Sequence, residues 1–397
     1  MTDSAENALL PAGMRDVLPP DAAFEAATVA RLMASLAAHG YERVKPPLLE
    51  FEDSLLAGSG AAMAGQTFRL MDPVSQRMMG LRPDMTLQVA RIAATRLKRR
   101  PRPLRLSYAG QVLRVKGTQL RSERQFGQVG AELIGSAAPA ADAEVVVMAI
   151  EALGALGVRG LSVDLGLPTL VPTIFAARPL DAATAARLRA ALDRKDATAV
   201  AALSDRLGRT TARTIESMLS AAGPATETLA AVGALDLPPS AATEWARLAE
   251  VVARVQKGIA ALAADEVKLT VDPVENRGFE YHTGVTFTFF AAAVRGELGS
   301  GGRYVAGNGP DQGEPATGLT LFMDTVLSAV PAGPEPNRVY LPPGTPLEEA
   351  RRLRAEGWVT VAGLEAAASW QEAARRLNCG HALIENKLQT VTGTKEK

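Results

Sequence analysis

The stretch "VLRVKGTQLRSERQFGQVGAELIG", residues 112–135, holds two strand patterns separated by a polar loop, and the fold is read from it. "LRLSYAGQVLRV" (104–115) runs into it, "RQFGQVGAELIG" (124–135) closes it, and "KGTQLRSE" lies between. Side chains alternate across a strand, so Gln128 and Glu132 point to the same face. Phe126 shares that face and Val129 lies on the other, so both faces are core-like. A carboxylate therefore projects from an apolar sheet. Buried carboxylates rarely stay unpaired, and the pattern calls for a cationic partner or a ligand at Glu132.

Toward the N-terminus, residues 21–40 carry apolar side chains at helical spacing and stop at Gly40. "YERVKPPLLEFE" reads as a strand whose Pro46 and Pro47 fit an edge or a bulge. "QTFRLMDPVSQRMMGLRPDMT" (66–86) reads as a β-hairpin turning at "DPVS". At its end Asp84 stands two residues before Thr86, where strand meets helix. That pair serves equally as a helix cap or as an acceptor for an ammonium group.

Toward the C-terminus, "AADAEVVVMAIEALGALG" (140–157) is a helix and "RGLSVDLG" (159–166) a strand. Residues 168–262 are Ala-rich and helical throughout, which suggests an insertion. Strand character returns at 267–294, and "GSGGR" (299–303) follows with one cation, Arg303. No Gly-Lys-Ser/Thr follows at P-loop spacing, so this run reads as a turn rather than a phosphate cradle. Beyond the Pro-rich "PAGPEPN" (331–337), strand and helix patterns alternate as in a small parallel α/β unit.

Composition narrows the function. Lys plus Arg and Asp plus Glu each number 43, and this balance opposes a role that depends on gripping nucleic acid. The lone Cys379 excludes an internal disulfide framework, and His39, His282 and His381 are too scattered for a Cys/His metal centre. The N-terminus lacks the order of a signal peptide and no run reaches membrane-spanning length, so the expectation is a cytoplasmic protein.

The order of motifs resembles the histidyl-tRNA synthetase catalytic domain, a class II aminoacyl-tRNA synthetase, over residues 8–330. "LPAGMRDVLPPDA" is similar to that family's opening and "GYERVKPPLLE" to its first class motif. "LRPDMT" resembles the Arg-Pro-Glu-x-Thr loop, residues 112–135 the second motif, and "NRGFEYHTG" and "GGRY" the two histidine signatures. The resemblance implies an α+β fold: a mixed, mostly antiparallel sheet flanked by helices. Domain 1–330 would contain the helical insertion 168–262, with a small α/β unit at 338–397. It also implies a histidine pocket. Asp84, Thr86 and Gln128 would hold the α-amino group, Arg277 the carboxylate with Arg114 as a second candidate, and Glu132 the imidazole. Tyr281 and His282 would flank the ring, His282 standing where the family has a tyrosine.

The departures fall on the nucleotide half. Lys116 replaces an acidic residue and Ser122 an arginine of the second motif. The third motif should close on Gly-Leu-Glu-Arg, but Phe322, Met323, Asp324 and Thr325 occupy the place. A threonine cannot make charge-assisted contacts to phosphate. The C-terminal unit is also shorter than an anticodon-binding domain. This combination resembles a paralogous family, the ATP phosphoribosyltransferase regulatory subunits. It implies no catalytic residue, cofactor, metal or tRNA. The partners would be a short-form catalytic subunit for the first step of histidine biosynthesis, L-histidine as feedback inhibitor, and a second copy of the chain. A divergent active synthetase and a histidine sensor for another enzyme are the alternatives.

Overall fold

The computed structural model describes residues 9–117, 122–264, 266–276, 281–307 and 313–391, in two compact units, Met1–Pro331 and Ala332–Lys397. Strands of the first unit begin with β1 (Glu42–Arg43), β2 (Leu49–Phe51), β3 (Arg69–Met71) and β4 (Met78–Leu81). They continue with β5 (Leu104–Leu113), β6 (Gln125–Ile134), β7 (Leu161–Gly166), β8 (Gly223–Pro224) and β9 (Lys268–Asp272). The last three are β10 (His282–Ala291), β11 (Gly299–Ala306) and β12 (Glu314–Phe322). Among the described residues, nine of these form one sheet in the order β1-β5-β6-β12-β11-β10-β7-β9-β8. Only the β1–β5 and β7–β9 pairs are parallel. Strands β2, β4 and β3 make a separate small sheet.

Helices α1 (Asp21–Ala38), α2 (Glu52–Leu55), α3 (Thr86–Thr95) and α4 (Pro139–Ala155) precede the insertion. The insertion contains α5 (Leu170–Ile174), α6 (Ala182–Asp193), α7 (Ala197–Ala201), α8 (Ser204–Leu207), α9 (Arg209–Ala221), α10 (Ala225–Gly233) and α11 (Pro239–Ala261). α12 (Met323–Ala329) follows β12 directly. α4 is apolar on almost every side and is buried accordingly, from Val145 and Val146 to Leu153. α11 buries a single stripe, Trp245, Leu248, Val252, Val255 and Ile259, at the three- and four-residue spacing of one helical face. The two helices pack so closely that a Cβ on Gly258 would lie 2.5 Å from Val147.

Four expectations change. "YERVKPPLLEFE" is not one strand: β1 and β2 are separated by Pro46 and Pro47, which carry no N–H for a ladder. The insertion is not helical throughout, because the two-residue β8 pairs antiparallel with β9. "GSGGR" is not a turn but the start of β11, held between β10 and β12. Its glycines serve close packing: a Cβ on Gly301 would lie 2.1 Å from the Gly318 carbonyl oxygen and 2.5 Å from the Phe287 ring. The second unit has β13 (Arg338–Leu341), α13 (Leu347–Ala355), β14 (Val359–Ala362), α14 (Trp370–Arg376) and β15 (His381–Ile384), as an α/β pattern requires. It adds an antiparallel edge strand, β16 (Lys387–Thr390), beside the parallel ones.

The two kinds of glycine should separate under mutation. Gly301→Ala, with no room for a methyl group, is expected to lose at least about 2 kcal/mol. Gly154→Ala, in α4 with nothing within 4 Å of the added carbon, should be neutral or up to about 1 kcal/mol stabilising. Urea unfolding of the two full-length variants checks this; equal midpoints would contradict it.

Candidate functional site

Strands β5, β6, β11 and β12 bring their residues together around one cavity of about 390 Å³. Asp84, Thr86, Arg114, Glu132, Tyr281 and His282 all line it. Gln128 does not line it but supports it. Its side-chain amide donates to Asp84 Oδ2 at 2.8 Å and its oxygen accepts from the Met85 N–H at 3.2 Å. Arg277 lies outside the described residues.

Asp84 combines both readings of the Asp-x-Thr pair. Its Oδ1 accepts from the Thr86 N–H at 2.8 Å, fixing the start of α3, while its other oxygen faces Gln128 and, at 3.9 Å, the Arg114 guanidinium. Arg114 also donates to the Pro83 carbonyl at 3.2 Å and lies 5.1 Å over the Phe126 ring.

Of the two partners the sequence allows Glu132, a cation or a ligand, no cation pairs with it among the described residues. It is 1% exposed, and its two oxygens accept from tyrosine hydroxyls: Tyr108 at 3.1 Å and Tyr304 at 2.9 Å. Tyr108 in turn meets the hydroxyls of Thr86 at 3.0 Å and Thr320 at 2.9 Å. Neutral donors replace a countercharge because burial makes the acid form the stable one. Desolvation raises Glu132 to about 8, although its hydrogen bonds pull the other way. The carboxyl is accommodated because its neighbours in the sheet are glycines. A Cβ on Gly318 would fall 1.7 Å from Glu132 Oε2, and one on Gly130 would fall 2.3 Å from the Tyr108 hydroxyl.

One wall of the cavity is aromatic. Tyr281 stacks on Tyr304 with centroids 5.2 Å apart, and meets His282 edge-on at 5.0 Å. The Tyr281 hydroxyl is buried and has no hydrogen-bond partner among the described residues. His282 Nδ1 lies 3.3 Å from the Arg303 carbonyl oxygen, and burial pushes this imidazole down to about 4.

The features that would bind phosphate are committed elsewhere. Arg303 is buried and its guanidinium donates to Asp142 Oδ2 at 2.8 and 3.1 Å, to Ser136 O at 2.9 Å and to Ala138 O at 3.1 Å. The Thr325 hydroxyl donates to the Glu297 carbonyl at 2.7 Å, and Glu297 itself lines the cavity. Lys116 and Ser122 are exposed. Sequence reasoning did not single out Tyr108, Tyr304 or Thr320 as site residues. The available signal was a tyrosine on a strand whose neighbours carry glycine, in "LSYAG" and "GGRY".

Residues 13–326 match the profile of the histidyl-tRNA synthetase family. An ATP phosphoribosyltransferase regulatory subunit of Paramagnetospirillum magneticum is 61% identical over 384 residues, spanning 96% of this chain and 98% of that one. The chain belongs to the family of ATP phosphoribosyltransferase regulatory subunits. A member from Rhodospirillum centenum is 57% identical over 394 residues, with 98% and 99% covered. A crystal structure from Bacillus halodurans, titled an ATP phosphoribosyltransferase regulatory subunit/histidyl-tRNA synthetase, superposes with a TM-score of 0.78 at 26% identity, covering 93% of this chain and 96% of that one. Membership makes the role regulatory rather than catalytic.

The buried acid should leave a mark on stability. Between 4.5, its ordinary value, and about 8, folded Glu132 holds a proton that the unfolded chain has released. Its contribution is therefore full below the ordinary value and is lost as pH rises through the folded one. His282 works in the opposite sense, losing stability as pH falls from 6.5 through about 4. Glu132→Gln removes only the first slope. Its melting temperature relative to wild type should rise by on the order of several degrees between about pH 5 and about pH 9. A constant difference across that range would show that Glu132 is ionised in the fold.

Proposed function

We propose that the chain serves a short-form ATP phosphoribosyltransferase catalytic subunit in the first step of L-histidine biosynthesis, and that it is the receptor for feedback inhibition by L-histidine. It works in the cytoplasm, in a hetero-oligomer built on a dimer of this chain, and takes no tRNA. The observation that carries the reading is Glu132: a carboxyl wholly buried at a polar cavity, surrounded by hydroxyls, with no cation paired to it among the described residues.

A zwitterionic amino acid with a basic ring suits these groups. Asp84, with Thr86 beside it and Gln128 behind it, offers a carboxylate to the ammonium group. Arg114 and Arg277 are assigned to the ligand carboxylate. Glu132 receives the imidazole, either giving its proton to a bare ring nitrogen or accepting an N–H as the carboxylate. ATP is not accommodated on this reading, since Arg303 is spent on Asp142 and Thr325 on backbone. Histidine acts by binding one state of the assembly more tightly than another, which shifts the equilibrium between them.

Self-association is assigned to the segment around Pro46 and Pro47. Exposed Leu48 there leaves apolar surface for a second copy, and two-fold pairing is the commonest homo-oligomer. Sedimentation of the purified chain should detect a dimer; a monomer at all concentrations, with and without the catalytic subunit, would contradict this.

Two activity measurements test the rest. The purified chain should give no histidine-dependent pyrophosphate exchange with ATP. In the complex, Glu132→Gln should raise the inhibitory histidine concentration on the order of ten-fold, because a charge-assisted bond of roughly 1.5–3 kcal/mol is weakened. An unchanged inhibition curve in a variant of matched oligomer size would move the histidine site elsewhere.

A further inference from the structure

The second unit, Ala332–Lys397, contains a cavity of its own, of about 540 Å³, where β14 runs into α14. That volume is ordinary for a small-molecule site. Tyr340 of β13 lines it. The Tyr340 ring is 2% exposed and packs with Ala373, Ala374 and Ala382, a role that a phenylalanine would fill equally well. Its hydroxyl makes no hydrogen bond among the described residues, whereas the hydroxyl of a buried tyrosine usually finds a partner. That hydroxyl reaches the cavity at Gly363, where an added Cβ would lie 2.4 Å from it. The Gly363 N–H donates to the Leu341 carbonyl at 2.8 Å, and its φ is not left-handed. Glycine therefore serves here to leave the hydroxyl uncovered, not to free the backbone. Three charged side chains line the same cavity: Glu365 on the connecting loop, and Glu372 and Arg376 on α14. Glutamate and arginine four apart on a helix commonly pair, and Glu250–Arg254 and Arg352–Glu356 do so at 2.7 Å. Glu372 and Arg376 stay apart, and none of the three has an ion pair among the described residues. The start of α14 is already satisfied, since Ser369 Oγ accepts from the Glu372 N–H at 3.3 Å.

We propose that this cavity is a second ligand site, for a free amino acid with a cationic side chain, of the charge pattern of L-lysine. Three charges on the ligand then answer three on the protein. Arg376 takes the α-carboxylate, which its planar fork can hold through two N–H groups. Glu365 and Glu372 take the α-ammonium and the side-chain cation. The Tyr340 hydroxyl donates to the carboxylate from below, the one hydrogen bond its buried ring is placed to offer. Two carboxylates against one guanidinium leave an excess negative charge, which disfavours phosphates and other anions. Small alanine side chains on the loop leave room for an aliphatic stem. The site lies within the second unit and shares no residue with the cavity at Glu132, so it stands apart from the histidine reading of that cavity.

The test is calorimetric titration of the purified full-length chain with L-lysine and two probes that each lack one of its charges. Cadaverine is lysine without the carboxylate, and L-norleucine is lysine without the side-chain ammonium. Wild type should bind L-lysine saturably and each other probe at least about three-fold more weakly, a modest factor because the three protein charges are exposed to solvent. Saturating L-histidine should leave the lysine titration unchanged. Arg376→Gln should lower lysine to the level of cadaverine. Tyr340→Phe should bind lysine about five-fold more weakly at an unchanged melting temperature, since only the hydroxyl is lost. Unspecific attraction to a negative surface would hold cadaverine at least as tightly as lysine, and that result overturns the inference. So does a folded wild type that shows no saturable lysine binding, or a Tyr340→Phe chain of unchanged affinity. Competition by L-histidine would put lysine in the cavity at Glu132 and overturn it equally. The comparison of the three probes on wild type decides the matter even if a variant fails to fold.

Discussion

A carboxyl group buried in the middle of a sheet, bonded only to hydroxyls, constrains everything around Glu132. An uncompensated buried carboxylate is expensive, and the fold meets the cost in two ways. Burial keeps the proton on the acid, and the Tyr108 and Tyr304 hydroxyls satisfy its oxygens. Tyr108 and the carboxyl itself need room, and β6 and β12 supply it by carrying glycine where they cross the site. Gly130 lies under Tyr108, Gly318 faces Glu132, and Gly301 lies against the Gly318 carbonyl. Glycine weakens a strand interior, so a glycine-rich central sheet is a local sacrifice that the cavity explains.

The charges nearby are committed in different ways. The Arg303–Asp142 pair is almost wholly buried, and its geometry ties β11 to the start of α4 through the Ser136 and Ala138 carbonyls. Removing either partner would strand a buried charge, so the pair serves architecture. Arg114 is different. It lies 3.9 Å from Asp84, donates to the Pro83 carbonyl at 3.2 Å and lines the cavity. The cavity is lined by Asp84 and Arg114 and also by Glu297, whose carbonyl accepts from the Thr325 hydroxyl.

Period-two alternation on β6 placed Gln128 and Glu132 on one face correctly, because strand geometry admits little else. The helical spacing of α4 and α11 was equally readable, since each buries the stripe its sequence displays. The glycine-rich run was misread as a turn because glycine signals conformational freedom and close approach with the same letter. Only the neighbours Phe287 and Gly318, distant in sequence, decide between them. The choice between a cation and a ligand at Glu132 was not readable for a related reason. Local sequence can say that a carboxyl is buried, but not that tyrosines from β5 and β11 converge on it. The role of Arg303 was likewise unreadable until its partner Asp142, 161 residues away, was in view.

Regulation requires that a filled and an empty pocket differ in free energy somewhere other than the pocket. The cavity wall holds the Tyr281 hydroxyl, buried without a partner among the described residues, so an occupant that answers it gains more than contact area. The groups it would engage come from β5, β6, β10, β11 and the start of α3, and ordering them acts on the sheet as a whole rather than on one loop. The helical insertion is fastened near one end of the same system. Lys195 pairs with Asp272 at the end of β9, and Asn276 donates to the Arg189 carbonyl at 3.5 Å, just before the segment that leads to Tyr281 and His282. α6 and the residues after it are thus in direct contact with the chain that delivers the aromatic wall.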